Sequence, residues 1–225
     1  MTLLTLDSLD LAALVASRVC HDVISPVSAM INGLEVLDEN ADDPEMREHA
    51  MELVRTSAQS ASARLQFCRL AFGAAGSIGA VIDTGDAERV ARGLFENDRT
   101  KLEWDAPRLL LAKNKVKVIL NLCLIANGCI FRGGTVVVKV TGDDANFGYS
   151  VEARGANAKM PSSVPLLLGG TPENDMVDGN SIQPFYTGVV ARACQLSLNV
   201  VVEQDLIAFR GRTVLPVEKS DAEAA

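Results

Sequence analysis

The stretch SRVCHDVISPVSAM, residues 17–30, contains one of only two histidines in this 225-residue chain. His21 is followed at once by Asp22 and five residues later by Pro26, in a segment that otherwise has the periodicity of a long helix. A proline in a helix interior removes a backbone hydrogen bond and clashes with the preceding turn, at a cost of about 3 kcal/mol. The carbonyl that loses its partner is that of Asp22. Since an ordinary surface histidine needs no such disturbance, His21 is a candidate chemical group.

The helix around this stretch has one apolar side. At about 100° per residue, a group of apolar side chains falls within about 80° of Val23: Ala12, Val15, Ala16, Val19, Val27, Met30 and Leu34. The opposite side carries Leu14, Arg18, His21, Ser25, Ser28 and Asn32. His21 lies roughly 160° from the apolar centre, so we expect it to face away from the core.

A second helix follows the loop ENADDPE, residues 39–45, whose proline and Asn/Asp cluster indicate a helix start. Its apolar seam has spacings of four and three: Met46, Ala50, Val54, Ser57, Ala61, Leu65, Cys68 and Phe72. Two helices cannot bury apolar surfaces this wide by themselves. We therefore predict a dimeric four-helix bundle in which His21 of each copy lies on the outside. The alternative is packing of the hairpin on its own C-terminal half, which the linker-like GAAGSIG, residues 73–79, disfavours.

Beyond the linker the pattern changes to an alternation of helices and strands. Helices are predicted at 86–97, 112–131 and 182–197, and strands at 135–140, 147–153, 198–204, 206–211 and 212–217. This order favours an α+β fold with helices on one mostly antiparallel sheet. We expect a helical hairpin over 1–75, a second domain over 80–217 and a disordered tail over 218–225.

Composition excludes several classes of function. A net charge of −8 disfavours nucleic acid as a partner. The five cysteines are widely spread without a CxxC pair, and zinc-ligand spacing is absent, so reduced thiols in a cytoplasmic protein are expected. No apolar run has the length of a membrane span, and the N-terminus lacks the pattern of a signal peptide, so no membrane is expected.

The chemistry expected of His21 follows from its neighbours. Near neutral pH an imidazole has a nucleophilic nitrogen, and no Ser, Cys or metal triad is evident, so phosphoryl transfer fits better than hydrolysis. The small side chains Ser17, Ser25 and Ser28 leave room for another protein to approach. Arg18 could lie beside an anionic phosphoryl group. Two further residues have simpler expectations: His49 is a plain surface residue on the second helix, and Leu14 is either a surface leucine or a partner contact.

The motif HDVISPVSAM resembles the H-box of histidine kinases, on the first helix of their dimerisation and phosphotransfer hairpin. The resemblance implies that His21 carries the phosphoryl group, that Asp22 assists its proton chemistry and that Pro26 bends the helix.

The C-terminal half resembles the ATP-binding domain of those kinases, but its nucleotide motifs are eroded. In NLCLIANGCIF, residues 121–131, Ile125 stands where the resemblance requires a magnesium-binding asparagine, and an apolar side chain cannot bind Mg²⁺. Ala153 replaces the aspartate that reads adenine. Gly188 is the one usable glycine left of the phosphate loop, and residues 156–180 are too short for the usual nucleotide lid. We therefore expect little or no ATP binding.

An intact hairpin with an eroded ATPase-like domain resembles the ChpT-type histidine phosphotransferases, dimeric intermediates of a cell-cycle phosphorelay. The resemblance implies that His21 takes a phosphoryl group from the receiver aspartate of a hybrid histidine kinase and passes it to response regulators. The receiver would supply Mg²⁺, and this chain would need no cofactor. Two alternatives stay open: an ATP-dependent kinase with a divergent nucleotide site, and a non-catalytic dimeric adaptor for receiver domains.

Overall fold

The structure, a computed structural model, describes residues 3–73 and 79–214. Two long helices come first, α1 over Ser8–Glu39 and α2 over Pro44–Ala71. Both begin with an aspartate cap: the side chain of Asp7 accepts from the amide of Leu9, and that of Asp43 accepts from the amides of Glu45 and Met46. The hairpin and its break at residues 39–45 agree with the sequence prediction.

The C-terminal half alternates strands and helices around one main sheet. Its elements are β1 (Val81–Asp83), α3 (Thr84–Phe95), β2 (Thr100–Asp105), β3 (Leu110–Ala112), α4 (Lys113–Cys129), β4 (Gly134–Thr141), β5 (Gly148–Arg154), α5 (Ser163–Gly169), α6 (Ile182–Ala193), β6 (Asn199–Glu203) and β7 (Leu206–Arg212), with a 3-10 turn at Glu173–Asp175 between α5 and α6. The main sheet has the order β2-β4-β5-β7-β6, and only the β2–β4 pair is parallel. The predicted α+β class and mostly antiparallel sheet are confirmed.

Several elements were not predicted, namely α5 and the strands β1, β2 and β3. β2 has a strand-like alternation, with Thr100 and Leu102 buried and Lys101 and Glu103 exposed. Because it is an edge strand paired in parallel with a distant segment, no hairpin turn marks it in the sequence. The strand predicted at 212–217 is reduced to Arg212 at the end of β7 and a single bridge between Thr213 and Leu196.

Some predictions fall partly or wholly outside the described residues: the linker at 74–78, the last three residues of the strand expected at 212–217, and the tail at 218–225.

Helix α4 is the centre of the core. Twelve of its residues are buried, and its apolar side chains share one cluster with residues of the sheet, α3 and the end of α2. Phe67 of α2 meets Phe95 of α3 edge to face, with ring centroids 5.3 Å apart.

The base of the hairpin packs on the C-terminal half of its own chain, so the expectation that disfavoured this alternative is wrong for that region. Phe67, Leu70 and Ala71 are buried in the main core. At the start of α1, Leu11 and Leu14 pack against a second cluster, formed by Leu167, Ile182 and Phe185. The free energy gained by burying these apolar side chains outweighs the conformational entropy of a hairpin that moves independently of the C-terminal half.

Helix α1 is also long and apolar enough to cross a membrane by composition alone, with a mean hydropathy of 1.2 over 18 residues. The expectation that no segment reaches such a length is therefore wrong on this criterion. Only 6% of that stretch is buried within the single chain, and the ion pair of Arg18 with Asp22 within α1 would be costly in lipid.

Candidate functional site

His21 stands out from the middle of α1, with 79% of its side chain exposed. The apolar side of the helix turns away from it, as predicted from the periodicity. An imidazole this open can be reached by a macromolecular partner. It is also held on the scaffold rather than on a loop, because α1 is continuous on both sides of it.

Asp22 links His21 to Arg18. One carboxylate oxygen, Oδ1, lies 3.7 Å from Nδ1 of His21, and the other, Oδ2, accepts a hydrogen bond of 3.0 Å from Nε of Arg18. The sequence left contact between the adjacent residues His21 and Asp22 undecided, and the structure brings them close. Because Asp22 faces Nδ1, the opposite ring nitrogen, Nε2, is the one turned towards a partner.

The other predicted site residues have different degrees of access. The side chains expected to leave room beside the histidine are exposed: Ser17, Ser25, Ser28 and Asn32. Pro26 lies within the continuous helix α1 and is buried. Its ring is therefore part of the hairpin contact, and a partner meets chiefly its neighbours.

Leu14 is not an isolated surface leucine. It is half-buried and packs against the cluster of Leu167, Ile182 and Phe185 from the C-terminal half. Its position two turns before His21 still borders the histidine side of α1, so a partner contact stays a prediction.

The C-terminal half forms a wall one turn before His21. A Cβ placed on Gly179, in the loop before α6, would lie 3.7 Å from Oγ of Ser17. The segment before α1 ties the two parts together, because the amide of Leu4 donates to the carbonyl of Gly170 at 2.8 Å and Leu6 packs on the same apolar cluster as Leu14. The C-terminal half therefore approaches α1 one turn before His21.

An apolar surface covers the other side of the hairpin. Large side chains of α1 are exposed there, with Leu9 at 78%, Ile31 at 52%, Leu34 at 50% and Val27 at 37% exposure. A groove continues this surface towards the base of the hairpin, and it is lined by Ser8, Leu11, Ala12, Val15, Ala16, Val19, Cys20, Leu65, Cys68, Arg69, Phe72, Gly73 and Tyr186. Ala12, Val15, Ala16 and Val19 belong to the predicted apolar side.

Apolar side chains fill the region of the eroded nucleotide motifs. Ile125 and Ala153 are buried in the same cluster as Val164 and Leu168 of α5. Helix α5 also lies directly on α6, since a Cβ on Gly188 would come within 2.0 Å of the carbonyl oxygen of Leu168.

Sequence reasoning missed a buried polar network in this half. The fully buried Asn121 donates from Nδ2 to the carbonyl of Ala71, the last residue of α2, at 2.9 Å. Gln183 of α6 in turn donates to the carbonyl of Asn121 at 2.8 Å, and Thr187 donates to the carbonyl of Gln183 at 2.7 Å. The network joins three helices at the base of the hairpin.

Arg64 is a second residue that sequence reasoning missed. It lines a small groove between α1 and α2, together with Ser25, Pro26, Ala29, Thr56, Ser57 and Ser60. The signal that could have identified it is a charged residue at the helical spacing of the seam, seven positions after Ser57 and four before Cys68.

The charges beside His21 also act on a buried thiol. Burial raises the pKa of Cys68 to about 11, with Asp22 adding to the rise and Arg64 and Arg18 opposing it. No disulfide joins the five cysteines. Over residues 3–73 and 79–214, no group of three or more His, Cys, Asp or Glu side chains is arranged to hold a metal ion.

Comparisons with known proteins agree on one family. Residues 84–206 match the model of the histidine phosphotransferase C-terminal domain. The chain is 44% identical over 205 residues to the protein phosphotransferase ChpT of Brucella abortus (strain 2308), which covers 91% of this chain and 96% of that protein. A solved bacterial phosphotransferase superposes with a TM-score of 0.84 at 42% identity, over 93% of this chain and all of that one.

Proposed function

Because the chain belongs to the histidine phosphotransferase family that includes ChpT, we propose that it relays phosphoryl groups through His21 in a two-component phosphorelay. In this proposal His21 accepts the group from the receiver aspartate of a hybrid histidine kinase and passes it to the aspartates of response regulators. A role in cell-cycle control would follow from such a relay. The observation that carries the proposal is the exposed imidazole of His21, held on a rigid helix with Asp22 at its Nδ1.

The proposed step moves one phosphoryl group between two side chains. The lone pair on Nε2 of neutral His21 attacks the phosphorus of the acyl phosphate, a P–N bond forms, and the P–O bond to the receiver aspartate breaks. The leaving carboxylate keeps the electron pair of that bond. Asp22, whose Oδ1 lies 3.7 Å from Nδ1, stabilises the positive charge that develops on the ring, while Arg18 orients Asp22. Transfer to a response regulator is the reverse of this step.

The receiver brings the metal to this reaction. Receiver domains bind Mg²⁺ beside their own aspartate, so this chain would contribute no metal ligand and no cofactor. The burial of Ile125 and Ala153 in the main apolar cluster, which also contains Val164 and Leu168 of α5, supports a protein that takes no phosphoryl group from ATP.

The receiver would dock in the cleft beside His21. The wall formed near Gly179 approaches Ser17, and the exposed Ser25, Ser28 and Asn32 leave the histidine side of α1 open. The ATPase-like half would then act as the second docking wall, with Leu14 at the junction of the two surfaces.

The protein would act as a cytoplasmic homodimer. The exposed apolar side of α1, with Val27, Ile31 and Leu34, supports a four-helix bundle with a second copy. Val27 and Leu34 lie about 120° and 140° around the helix from His21, so His21 of each copy stays open in such a dimer. In this arrangement residues 1–75 form the phosphotransfer hairpin and 80–217 form the ATPase-like domain.

The test is a phosphotransfer assay. A panel of phosphorylated receiver domains is mixed with the protein, and label is followed from receiver to His21 and on to a second receiver. Transfer is expected for at least one receiver and is lost in His21→Ala, whereas His49→Ala, the control on α2, transfers normally. Equal loss of label from the receivers with the wild-type and His21→Ala proteins would contradict the proposal and favour an adaptor.

A further inference from the structure

The groove that holds Arg64 lies on the histidine side of the hairpin. Its α1 wall includes Ser25, one turn after His21 and on the same side of the helix. The apolar groove that includes Leu65 and Cys20 opens on the other side, so a second copy seated there leaves the Arg64 groove free. A partner that reaches His21 therefore also faces Arg64.

The guanidinium of Arg64 has a buried N–H group without a hydrogen-bond acceptor. Its Nε is buried and makes no hydrogen bond within the part of the chain that the structure describes. The nearby arginines of the hairpin differ in this respect, because Arg18 is bonded to Asp22 and Arg55 to Glu52. A buried N–H of a guanidinium without an acceptor is costly, so the site is built for an acceptor that arrives from outside.

The groove lining selects the charge of that acceptor. Ser25, Ser57 and Ser60 add hydroxyl groups to the guanidinium, and no carboxylate lines the cavity of about 290 Å³. A guanidinium with neighbouring hydroxyls binds a planar carboxylate in two-point fashion, which suits Asp or Glu. In a chain of net charge −8, such a cationic site is a distinctive feature for an acidic partner.

The phosphoryl group of His21 itself is a poorer occupant. The residues of α1 buried in the hairpin are Pro26 and Gly33, and a Cβ on Gly33 would touch Val54 of α2. His21 lies about 130° around α1 from these two residues, so its ring points away from α2, which carries Arg64. The acceptor thus comes from the body of the docked protein.

We propose that Arg64 and the hydroxyls around it bind an acidic side chain of the receiver domain that docks at His21. Arg64 is then a specificity residue, which captures the receiver and takes no part in the transfer step. This inference rests on the proposed phosphotransfer function.

The experiment compares Arg64→Met, Arg64→Lys and the control Arg55→Met, using a phosphorylated receiver that labels the wild-type protein. Transfer rates are measured against receiver concentration at low and high salt. Arg64→Met is expected to raise KM about tenfold with kcat little changed and with a weaker dependence of KM on salt. Arg64→Lys keeps part of the affinity and Arg55→Met keeps all of it.

Three results would overturn the inference. The first is an unchanged KM in Arg64→Met. The second is a loss of transfer in both Arg64 variants that follows a lowered melting temperature and does not depend on salt, which would make Arg64 structural. The third is a lower kcat with a shorter lifetime of phosphorylated His21, which would assign the groove to the phosphoryl group. Failure of the underlying function is separate, since it shows as transfer that survives in His21→Ala.

Discussion

At the scale of single residues, the site is a chain of three side chains on one helix. Arg18 holds Asp22, and Asp22 lies at Nδ1 of His21. Spacing alone allowed the pair of Arg18 and Asp22, four residues apart. The approach of Asp22 to the neighbouring His21 depends on a side-chain rotamer, which periodicity does not determine.

Asp22→Asn should slow phosphotransfer to His21 by about 10²-fold, because a neutral amide cannot balance the positive charge that develops on the imidazole. The rate of labelling by a phosphorylated receiver measures this. Asp38→Asn, an exposed change on the same helix, serves as the control and should transfer at the wild-type rate. Full activity in Asp22→Asn would contradict the role given to Asp22.

Cys68 makes the stability of the fold depend on pH in the alkaline range. Its pKa is raised from 9.0 to about 11 by burial, so the unfolded chain loses the thiol proton at lower pH than the folded chain. The stability that Cys68 contributes is therefore fully present below pH 9 and is lost as pH rises towards 11. The free energy of unfolding is expected to fall by about 1 kcal/mol at pH 10 because of this thiol. Urea unfolding of the wild type and Cys68→Ala at pH 8 and pH 10 measures it, and Cys68→Ala should lose less stability than the wild type between these values.

At the scale of elements, α1 presents three surfaces to three neighbours. Pro26 and Gly33 are its buried residues, Leu11 and Leu14 pack on the C-terminal half, and Ile24 and Ile31 remain exposed. The hydrophobic period predicted one apolar side. It did not reveal that this side is divided among different neighbours, because a helical plot shows which residues share a side but not which element packs against them.

Ile31→Asp should convert the proposed dimer to monomers. The side chain is 52% exposed in the single chain, and its burial between two copies is worth about 1.5–3 kcal/mol, which a charge would reverse. Sedimentation equilibrium over a range of concentrations measures the change. Leu110→Asp, a change on β3 at a side chain that is 64% exposed, should leave the proposed dimer intact, and a wild-type monomer would refute the bundle.

The network at the base of the hairpin should contribute measurably to stability. Asn121→Leu leaves the carbonyl of Ala71 without its donor, at a cost of about 1–3 kcal/mol, whereas Gln183 loses only its longer contact with Oδ1 and keeps the main-chain carbonyl of residue 121. Urea unfolding gives the free energy, and faster hydrogen exchange in the last turn of α2 would locate the effect. Asn127→Leu, a half-buried position of α4, is the matched control. Equal stability of the two variants would refute the role of Asn121.

At the scale of the whole molecule, a hairpin and an ATPase-like half form one packed unit. The main core includes Phe67, Leu70 and Ala71 of α2. The segment before α1 adds Leu4 and Leu6 to the second cluster. These contacts hold the C-terminal half against the hairpin on both sides of its base.

Millimolar ATP with Mg²⁺ should leave the melting temperature of the protein unchanged and should not label His21. The reason is that the region expected to bind nucleotide is occupied by apolar side chains of the main cluster, among them Val164, Leu168 and Ile125. Thermal unfolding and radiolabelled ATP measure the two effects, with a competent histidine kinase as the positive control. A rise in melting temperature would show that ATP binds the folded state, and labelled His21 would show kinase activity.

Much of the molecule followed from local patterns. The two long helices, their break at residues 39–45, helices α3, α4 and α6, and the hairpin of β4 and β5 were all predicted, because periodicity and turn residues act over short distances. The strand β2 and helix α5 were missed, since each depends on a distant neighbour: β2 on its parallel partner β4, and α5 on Gly188 of α6.

The sequence by itself determined His21 as the candidate reactive residue and the side of α1 on which it lies. These follow from residue types and from the helical repeat, both of which are local. Only the tertiary structure decided that the hairpin base is buried in its own C-terminal half, that Asn121 joins α2 to α4, and that Arg64 is left without an acceptor beside the histidine. Those features arise from contacts between residues far apart in the chain, which no local pattern encodes.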